Sequence, residues 1–141
     1  MLNSTNSFKQ ILDAKGVHYD HYPQMDNDSP EVITITTSTD TIQSITVYFF
    51  FDSDGTSVHL KTSALCKVPD DKLMEIFVGV NNLNTNFRWV KFTLDDDNEV
   101  AAEDDAVLDP NDCGEECLEL LAHMVSISEK AYPALMKILF A

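Results

Sequence analysis

Residues 42–51 constrain the fold more than any other stretch, because they are rich in β-branched and aromatic side chains and contain neither proline nor glycine. Such a stretch predicts a long β-strand. Successive side chains of a strand point to opposite faces of the sheet. One face would carry Ile45, Val47, Phe49 and Phe51, and the other would carry Ser44, Thr46, Tyr48 and Phe50. Both faces of this strand therefore carry aromatic side chains.

The neighbouring segments predict an antiparallel meander of three strands. Residues 32–37 are rich in β-branched side chains and predict the first strand. The turn residues Asp52-Ser53-Asp54-Gly55 then connect the second strand to a third at residues 56–65. Ahead of the meander, a short helix begins at Ser7 and ends near Lys15, and residues 17–30 predict a loop or a short edge strand.

After the meander the apolar side chains follow a helical spacing. The helix opens at Pro69 and Asp70 and ends at the asparagines of residues 81–86. Its apolar positions are Leu73, Ile76, Phe77 and Val80. Residues 87–94 and 99–108 then predict two strands joined by a turn.

A long helix closes the chain. Asp112 is its predicted N-cap, and Pro133 predicts a kink or break before the last apolar residues. The element order is then α-β-β-β-α-β-β-α. This order predicts an α+β fold with an antiparallel sheet, and the length predicts a single domain over residues 1–141.

The charge of the chain limits its partners. Asp and Glu outnumber Lys and Arg by 24 to 9, and the formal net charge is -15. A field of this sign repels phosphate backbones and anionic lipid surfaces and favours basic partners. We therefore expect no binding of nucleic acid or membranes. The 44% hydrophobic content still supports a packed core.

The sequence also indicates a cytoplasmic protein. The first residues lack a basic segment followed by an apolar one, and no stretch approaches the ~20 apolar residues that a membrane-spanning helix needs. The three cysteines, Cys66, Cys113 and Cys117, cannot all pair with one another and do not resemble a disulfide framework. These features predict a reducing compartment.

Cys113, Cys117 and His123 have the chemistry of zinc ligands, and the two cysteines share one helix face. Structural zinc takes four ligands in a close shell, however, and this set contains no CxxC pair. His123 also projects to another side of the helix. Buried cysteines on an apolar stripe explain the pair more simply.

The carboxylates of Asp95, Asp97 and Glu99 alternate along the chain as calcium ligands do. In an EF-hand that began at Asp95, however, the required glycine and the terminal glutamate would be Val100 and Ala106. A solvated turn is the simpler interpretation. We therefore expect neither a bound metal nor another cofactor.

No catalytic motif is present in the sequence. The nucleophile signature GxSxG, the dinucleotide fingerprint GxGxxG and the P-loop are all missing. The chain has four glycines, which leaves few places where backbone could approach a phosphate. We therefore predict that the protein is not an enzyme.

The second face of the meander is the candidate protein-interaction face. Tyr48 and Phe50 lie on it, and Trp89 with its neighbour Arg88 would join them from the fourth strand. An uncovered aromatic face of this kind is typical of association surfaces. The alternative, that the helix at residues 70–80 packs over these rings, is equally compatible with the sequence.

Four segments of the second half resemble the bacterial YbjN domain family. They are Asn82-Leu83-Asn84 with Phe87-Arg88-Trp89-Val90-Lys91-Phe92, Asp105-Ala106-Val107-Leu108, Cys113-Gly114-Glu115-Glu116-Cys117 and Ala131-Tyr132-Pro133-Ala134-Leu135-Met136-Lys137. Before Pro69 the likeness lies in strand order alone. The family carries the label "putative sensory transduction regulator", and its fold is similar to that of type III secretion chaperones.

This resemblance implies a small, acidic protein that forms a homodimer and binds extended segments of a protein partner that the sequence does not identify. The leading hypothesis is therefore a non-enzymatic protein-binding module, chaperone-like or regulatory. A small-ligand sensor is the alternative, and it requires a pocket between the helices and the sheet. A metal-binding protein that uses Cys113, Cys117 and a histidine is the third possibility.

Overall fold

The structure of the protein, a computed structural model, describes all 141 residues. Its helices are α1 (Asn3–Ala14), α2 (Leu73–Asn86) and α3 (Gly114–Leu139). Its strands are β1 (Asp20–Tyr22), β2 (Glu31–Thr37), β3 (Ile45–Phe51), β4 (Ser57–Thr62), β5 (Cys66–Lys67), β6 (Lys91–Leu94) and β7 (Glu99–Val107). A short 3₁₀ turn at Asp70–Lys72 leads into α2.

The strands form one antiparallel sheet in which β1, β2, β3, β4 and β7 follow one another. The strands β5 and β6 also pair with β7. In the centre of the sheet, Phe49 lies opposite Ile33 on one side and Leu60 on the other. This register brings the apolar side chains of neighbouring strands onto one face.

That face carries the core, and the helices cover it. Phe49 and Phe51 of β3 are completely buried. Phe8 of α1 packs on both rings, with centroid separations of 4.7 and 6.2 Å. Ile76 of α2 and Met124 of α3 belong to the same core. The three helices therefore occupy a single side of the sheet.

No helix covers the opposite face. Tyr48 and Phe50 point to it and remain partly exposed. The helix α2 contacts β6 and α3, and its buried residues Ile76 and Leu83 join the core on the other side of the sheet. The sequence left open whether this face is uncovered or lies under the helix at residues 70–80. The structure shows that it is uncovered, because α2 does not pack over Tyr48 and Phe50.

The predicted element order and fold class are confirmed, and two short strands, β1 and β5, add to the order. The helix α2 is longer than predicted, since it continues through the asparagines to Asn86. Asparagine disfavours helices because its side chain competes for backbone hydrogen bonds. Here Asn84 bonds to β6 instead: Oδ1 accepts the Phe92 N–H at 2.7 Å, and Nδ2 donates to the Phe92 carbonyl at 3.0 Å.

The strand β6 begins at Lys91, four residues later than predicted. Trp89 has a φ of 71°, in the left-handed region that a strand does not contain. The Val90 N–H bonds to the Arg88 carbonyl at 2.8 Å and closes a tight turn. The prediction that Trp89 lies within a strand was therefore wrong.

The helix α3 runs through Pro133 as one helix, so of the predicted kink or break the structure excludes the break. Pro133 is exposed, so its ring needs no space in the core and costs a single backbone hydrogen bond. The predicted N-cap, Asp112, was also wrong. Ser7 of α1 caps the helix, because its Oγ accepts the N–H groups of Cys113 at 3.1 Å and Gly114 at 3.0 Å.

Candidate protein-interaction site

The centre of the uncovered sheet face is a row of stacked rings, which we name the aromatic face (Tyr48, Phe50 and His59). The Tyr48 and Phe50 rings stack with centroids 6.1 Å apart and planes 10° from parallel. The His59 ring lies 6.1 Å from Phe50 on the neighbouring strand. A row of aromatic side chains that no helix shields has the chemistry of the centre of an association surface.

Two carboxylates fix the His59 ring beside Phe50. Nδ1 of His59 lies 2.8 Å from Asp105 Oδ1, and Nε2 lies 3.1 Å from Glu103 Oε1. Both acids belong to β7, so the aromatic face has an acidic border on that side.

Arg88 and Trp89 lie in the turn before β6, at the edge of the sheet. The Arg88 guanidinium carbon is 4.9 Å from the Trp89 ring centroid, and the His123 ring of α3 stacks with the indole at 6.2 Å. Trp89 is nevertheless 59% exposed. The structure thus brings Tyr48 and Phe50 together, and separately Arg88 and Trp89, but it shows no aromatic contact between the two pairs.

Next to Trp89 the sheet has an edge without a partner strand. The pairing of β6 with β7 ends at Lys91 and Glu103, whereas β7 continues to Val107 and pairs with β4 on its other side. We name residues 104–107 the open β7 edge. Sequence reasoning missed it, since it results from the turn at Trp89.

A groove of about 230 Å³ separates the open β7 edge from α3. It is lined by Trp89, Ala106, Glu116, Glu119, Leu120 and His123. On the other side of α3, a second groove of about 390 Å³ lies between Leu118, Leu121 and Val125 of the helix and the end of β2. Both grooves are open to solvent along the helix.

The helix α2 has a second apolar surface, which we name the α2 apolar row (Met74, Phe77 and Val78). These side chains are 74%, 54% and 61% exposed. Of the four predicted apolar positions, Ile76 is buried and Leu73 and Val80 pack against the core, whereas Phe77 is exposed. Leu83 is also buried. The sequence signal was present: apolar side chains at 73, 74, 76, 77, 78 and 80 are too many for one buried stripe.

Cys113 and Cys117 are completely buried where α3 starts. The neighbouring Cys117 thiol lowers the pKa of Cys113 against the effect of burial. The Cys113 thiol, together with burial, raises the pKa of Cys117. His123 stacks on Trp89 instead of joining them, so the structure does not assemble the Cys113, Cys117 and His123 ligand set.

The carboxylates of Asp95, Asp97 and Glu99 do come within 4.8 Å of one another. Asp95 Oδ1 accepts the N–H groups of Asp97 and Glu99, both at 2.9 Å. These bonds are those of a tight turn stabilised by its own aspartate. The group therefore has a structural explanation as the tip of the β6–β7 hairpin.

The fold defines the class of protein: an α+β protein with a type III secretion chaperone-like fold, in which three helices cover one face of an antiparallel sheet. Its helices include none that is both long and apolar enough to cross a membrane.

The family comparison agrees with this class. The model of the YbjN family, described as "Putative bacterial sensory transduction regulator", matches residues 8–137. The chain therefore belongs to the YbjN family, and the resemblance noted in the second half extends over most of the first half.

Two solved structures share the fold. A chain in the crystal structure of the ExsC-ExsE complex is 16% identical with a TM-score of 0.55, over 94% of this chain and 96% of that chain. The crystal structure of YbjN, "a putative transcription regulator from E. coli", is 15% identical with a TM-score of 0.53, over 94% and 92%. At these identities the likeness shows the fold alone. No curated protein matches the chain at a significant level.

Proposed function

We propose that the protein is a non-enzymatic protein-binding module, chaperone-like or regulatory, that acts as a homodimer in the cytoplasm and forms one domain over residues 1–141. The observation that carries the binding function is the aromatic face, because no part of the chain covers it. Aromatic side chains at the centre of an interface supply much of its binding energy.

The charge of the chain selects the kind of partner. The net charge is -15, and no Lys or Arg side chain pairs with an Asp or Glu, since the ion pairs of the acids involve His21 and His59. Apart from Glu31, Glu103 and Asp105, which pair with these histidines, the carboxylates carry no ion pair and are available to a basic protein surface. Nucleic acids and anionic membranes carry the wrong charge for this surface.

The comparisons support the proposal by analogy. The YbjN family is described as regulatory, and the ExsC-ExsE structure is a complex of two proteins that includes a chain with this fold. Because a fold can serve unrelated functions, the proposal depends on the aromatic face itself.

The α2 apolar row supports the homodimer. Between Leu73 and Asn86 the one charged residue is Glu75, so two acidic copies can meet here with little repulsion. Phe140, which is 83% exposed, adds apolar surface at the end of α3. A contact between two copies of this row is isologous, which is the usual arrangement in dimers.

A double substitution tests the binding function. Tyr48→Ser with Phe50→Ser removes the two central rings, and Met25→Ser, which alters a 94% exposed apolar side chain in a loop, is the matched control. Proteins cross-linked in cells to the wild type and to Met25→Ser should be lost from the double variant. Equal recovery with all three proteins would contradict the role of the aromatic face.

Light scattering tests the homodimer. At micromolar concentration the wild type should show twice the chain mass of 15.8 kDa. Phe77→Ser with Val78→Ser should return the mass to that of one chain, because it removes apolar contact surface. A wild type with the mass of one chain would exclude the dimer.

A small-ligand sensor is the second candidate, and the 390 Å³ groove beside Leu121 favours it. This volume falls within the range of ligand sites, but the groove is open and has few polar groups, whereas such sites bury most of their ligand. Native mass spectrometry would show a bound small molecule that Leu121→Trp, which fills the groove, displaces. Identical masses of purified and denatured protein would count against this candidate.

A further inference from the structure

The open β7 edge presents backbone groups that no other strand pairs with. Hydrogen-bonded pairs alternate along an antiparallel ladder, and the Leu108 N–H bonds to the Thr56 carbonyl on the β4 side. The same alternation turns the N–H and C=O groups of Asp105 and Val107 away from β4. No strand of the chain reaches them, because the pairing of β6 ends opposite Glu103.

The rest of this sheet edge is closed. Asn84 bonds to both backbone groups of Phe92 on the outer side of β6. The turn at Trp89 then leads the chain away from β7. The Asp105 N–H donates to Asp104 Oδ1 at 2.8 Å. The backbone groups that remain free are thus the Asp105 carbonyl and the N–H and C=O of Val107, in one short segment next to an exposed indole.

A strand added at this edge would place its side chains in two distinct places. Alternate side chains of a strand point to opposite faces. On one side they would enter the groove between Trp89 and α3, which is about 230 Å³ in volume. On the other side they would enter a groove of about 400 Å³ that includes His59, Lys91 and Asp105.

Acidic groups surround the edge on both sides. The carboxylates are those of Glu103, Asp104, Asp105, Glu116 and Glu119. Of the nearby cations, Lys91 Nζ donates to the carbonyls of Asn84 and Phe87, Arg88 lies against Trp89, and Lys61 lies opposite Glu103 on β4. His59 already bonds to Glu103 and Asp105, so the carboxylates without an ion-pair partner are those of Asp104, Glu116 and Glu119.

We propose that the open β7 edge binds an extended, basic segment of a partner protein as an added strand, with its lysine or arginine side chains against these carboxylates. The inference rests on the proposed protein-binding function and adds the chemistry and position of the bound segment. Backbone hydrogen bonds supply affinity in this mode of recognition, and the alternate side chains supply specificity.

The environment of Asp104 agrees with a cationic partner. Burial raises the pKa of this carboxyl and the charge of Asp105 adds to the effect, although the Asp105 N–H donates to it at 2.8 Å. A lysine or arginine beside Asp104 would relieve the repulsion. A second copy of the chain would do the opposite, because two such edges would bring like charges together.

A defined peptide tests the proposal. The probe is a fluorescein-labelled octapeptide of alternating lysine and valine, titrated by anisotropy at physiological salt. Val107→Pro removes an N–H that points to solvent, whereas Val107→Ser keeps it. Val107→Pro should weaken binding by about tenfold or more, and Val107→Ser should change it little. In hydrogen exchange, the wild-type Val107 amide should become protected when the peptide binds.

A charge control separates the edge from general attraction. Glu119→Lys and Asp28→Lys change the net charge equally, but Asp28 lies in the loop before β2. We expect Glu119→Lys alone to weaken binding strongly. Equal weakening by both variants, no effect of Val107→Pro, or no binding to the wild type would each overturn the proposal. A Val107→Pro protein whose mass in solution differs from that of the wild type would also overturn the proposal, because the open β7 edge would then be a contact between two copies of the chain.

Two further measurements keep the outcomes distinct. If Val107→Pro does not fold, the same peptide N-methylated at every amide replaces it, because methylation of alternate amides would leave one edge of the peptide able to pair. Its binding to wild type should be lost, and unchanged binding overturns the proposal. The variant Tyr48→Ser with Phe50→Ser should still bind the peptide. The Tyr48 and Phe50 substitutions therefore test the proposed function, and the peptide measurements test the open β7 edge, so that one proposal can fail while the other holds.

Discussion

The buried carboxylate of Glu31 in β2 binds the N-terminal end of α1, where Oε1 accepts the Leu2 N–H at 2.8 Å. Its other oxygen lies 2.6 Å from His21 Nε2 of β1. Glu31 thus joins two strands to a helix whose first N–H groups have no partner within the helix. A negative charge at this end also interacts favourably with the helix dipole.

Glu31→Gln should lower the free energy of unfolding by about 1–3 kcal/mol, because it replaces hydrogen bonds to a buried charged group by bonds to a neutral amide. Urea unfolding at pH 7 measures the change. Glu115→Gln, at an exposed position in the first turn of α3, is the control and should stay close to wild type. Equal stability of Glu31→Gln and wild type would contradict this role of the carboxylate.

The same contact predicts a dependence on pH. Burial alone would raise the pKa of Glu31, but the Leu2 N–H and His21 outweigh it and hold the pKa below its ordinary value of 4.5. A lowered pKa adds stability above the unfolded-state pKa, and this stability is lost as the pH falls through the folded-state pKa. The stability difference between wild type and Glu31→Gln should therefore be constant above about pH 6 and shrink below about pH 4.5. A difference that grows on acidification would refute this.

Gly114 and Gly79 should respond differently to alanine. A Cβ at Gly114 would lie 2.6 Å from the Ser7 carbonyl oxygen, and a Cβ at Gly79 would clash with Ile138 Cδ1. Backbone of a packed helix cannot move away, whereas the tip of an isoleucine can. Gly114→Ala should destabilise by about 1–3 kcal/mol, while Gly79→Ala should stay within about 1 kcal/mol of wild type because helix propensity compensates. Urea midpoints that rank the two variants in the reverse order would contradict the packing.

Asn84→Ala should destabilise the protein by about 1–3 kcal/mol, since it leaves the N–H and C=O groups of Phe92 without their partner. Asn82→Ala, an exposed helix position, is the matched control and should be neutral or slightly stabilising. Hydrogen exchange should also show faster exchange of the Phe92 amide in Asn84→Ala. An unchanged exchange rate would mean that α2 shields β6 without this bond.

The cysteines should react slowly in the folded protein. Burial raises the pKa of Cys66 from 9.0 to about 11, which reduces its thiolate fraction at pH 8 by about 100-fold. Cys113 and Cys117 are completely buried. Mass spectrometry after iodoacetamide treatment at pH 8 should therefore show little labelling in buffer and three labels in urea. Rapid labelling of Cys66 in buffer would show that this part of the sheet opens readily.

Local patterns were enough to predict the meander. The alternation along β3 correctly separated the buried Phe49 and Phe51 from Tyr48 and Phe50, because the side chains of a strand necessarily alternate. The element order followed from the same patterns and from turn residues. For the helix α2 the pattern was ambiguous, since two apolar stripes compete and local spacing does not show which one the rest of the chain covers.

Contacts between distant residues explain what the sequence did not predict. Ser7 caps α3 across more than a hundred residues, and Asn84 keeps its helix intact by bonding to the next strand. Both interactions exist only once the helices have been placed. The conformation of Trp89 also depends on distant contacts. A tryptophan in the left-handed region is locally unfavourable, but the turn that contains it places Val90 completely in the core.

Trp89 is the one tryptophan of the chain, and it stands in the groove beside the open β7 edge. Its fluorescence therefore comes from a single known place on the surface. A molecule that covers the indole should shift the emission to shorter wavelength without any added label. Unfolding, by contrast, should change the emission little, because the indole already contacts water in the folded protein. The protein thus contains its own optical probe for one surface, while its global stability is better followed by circular dichroism.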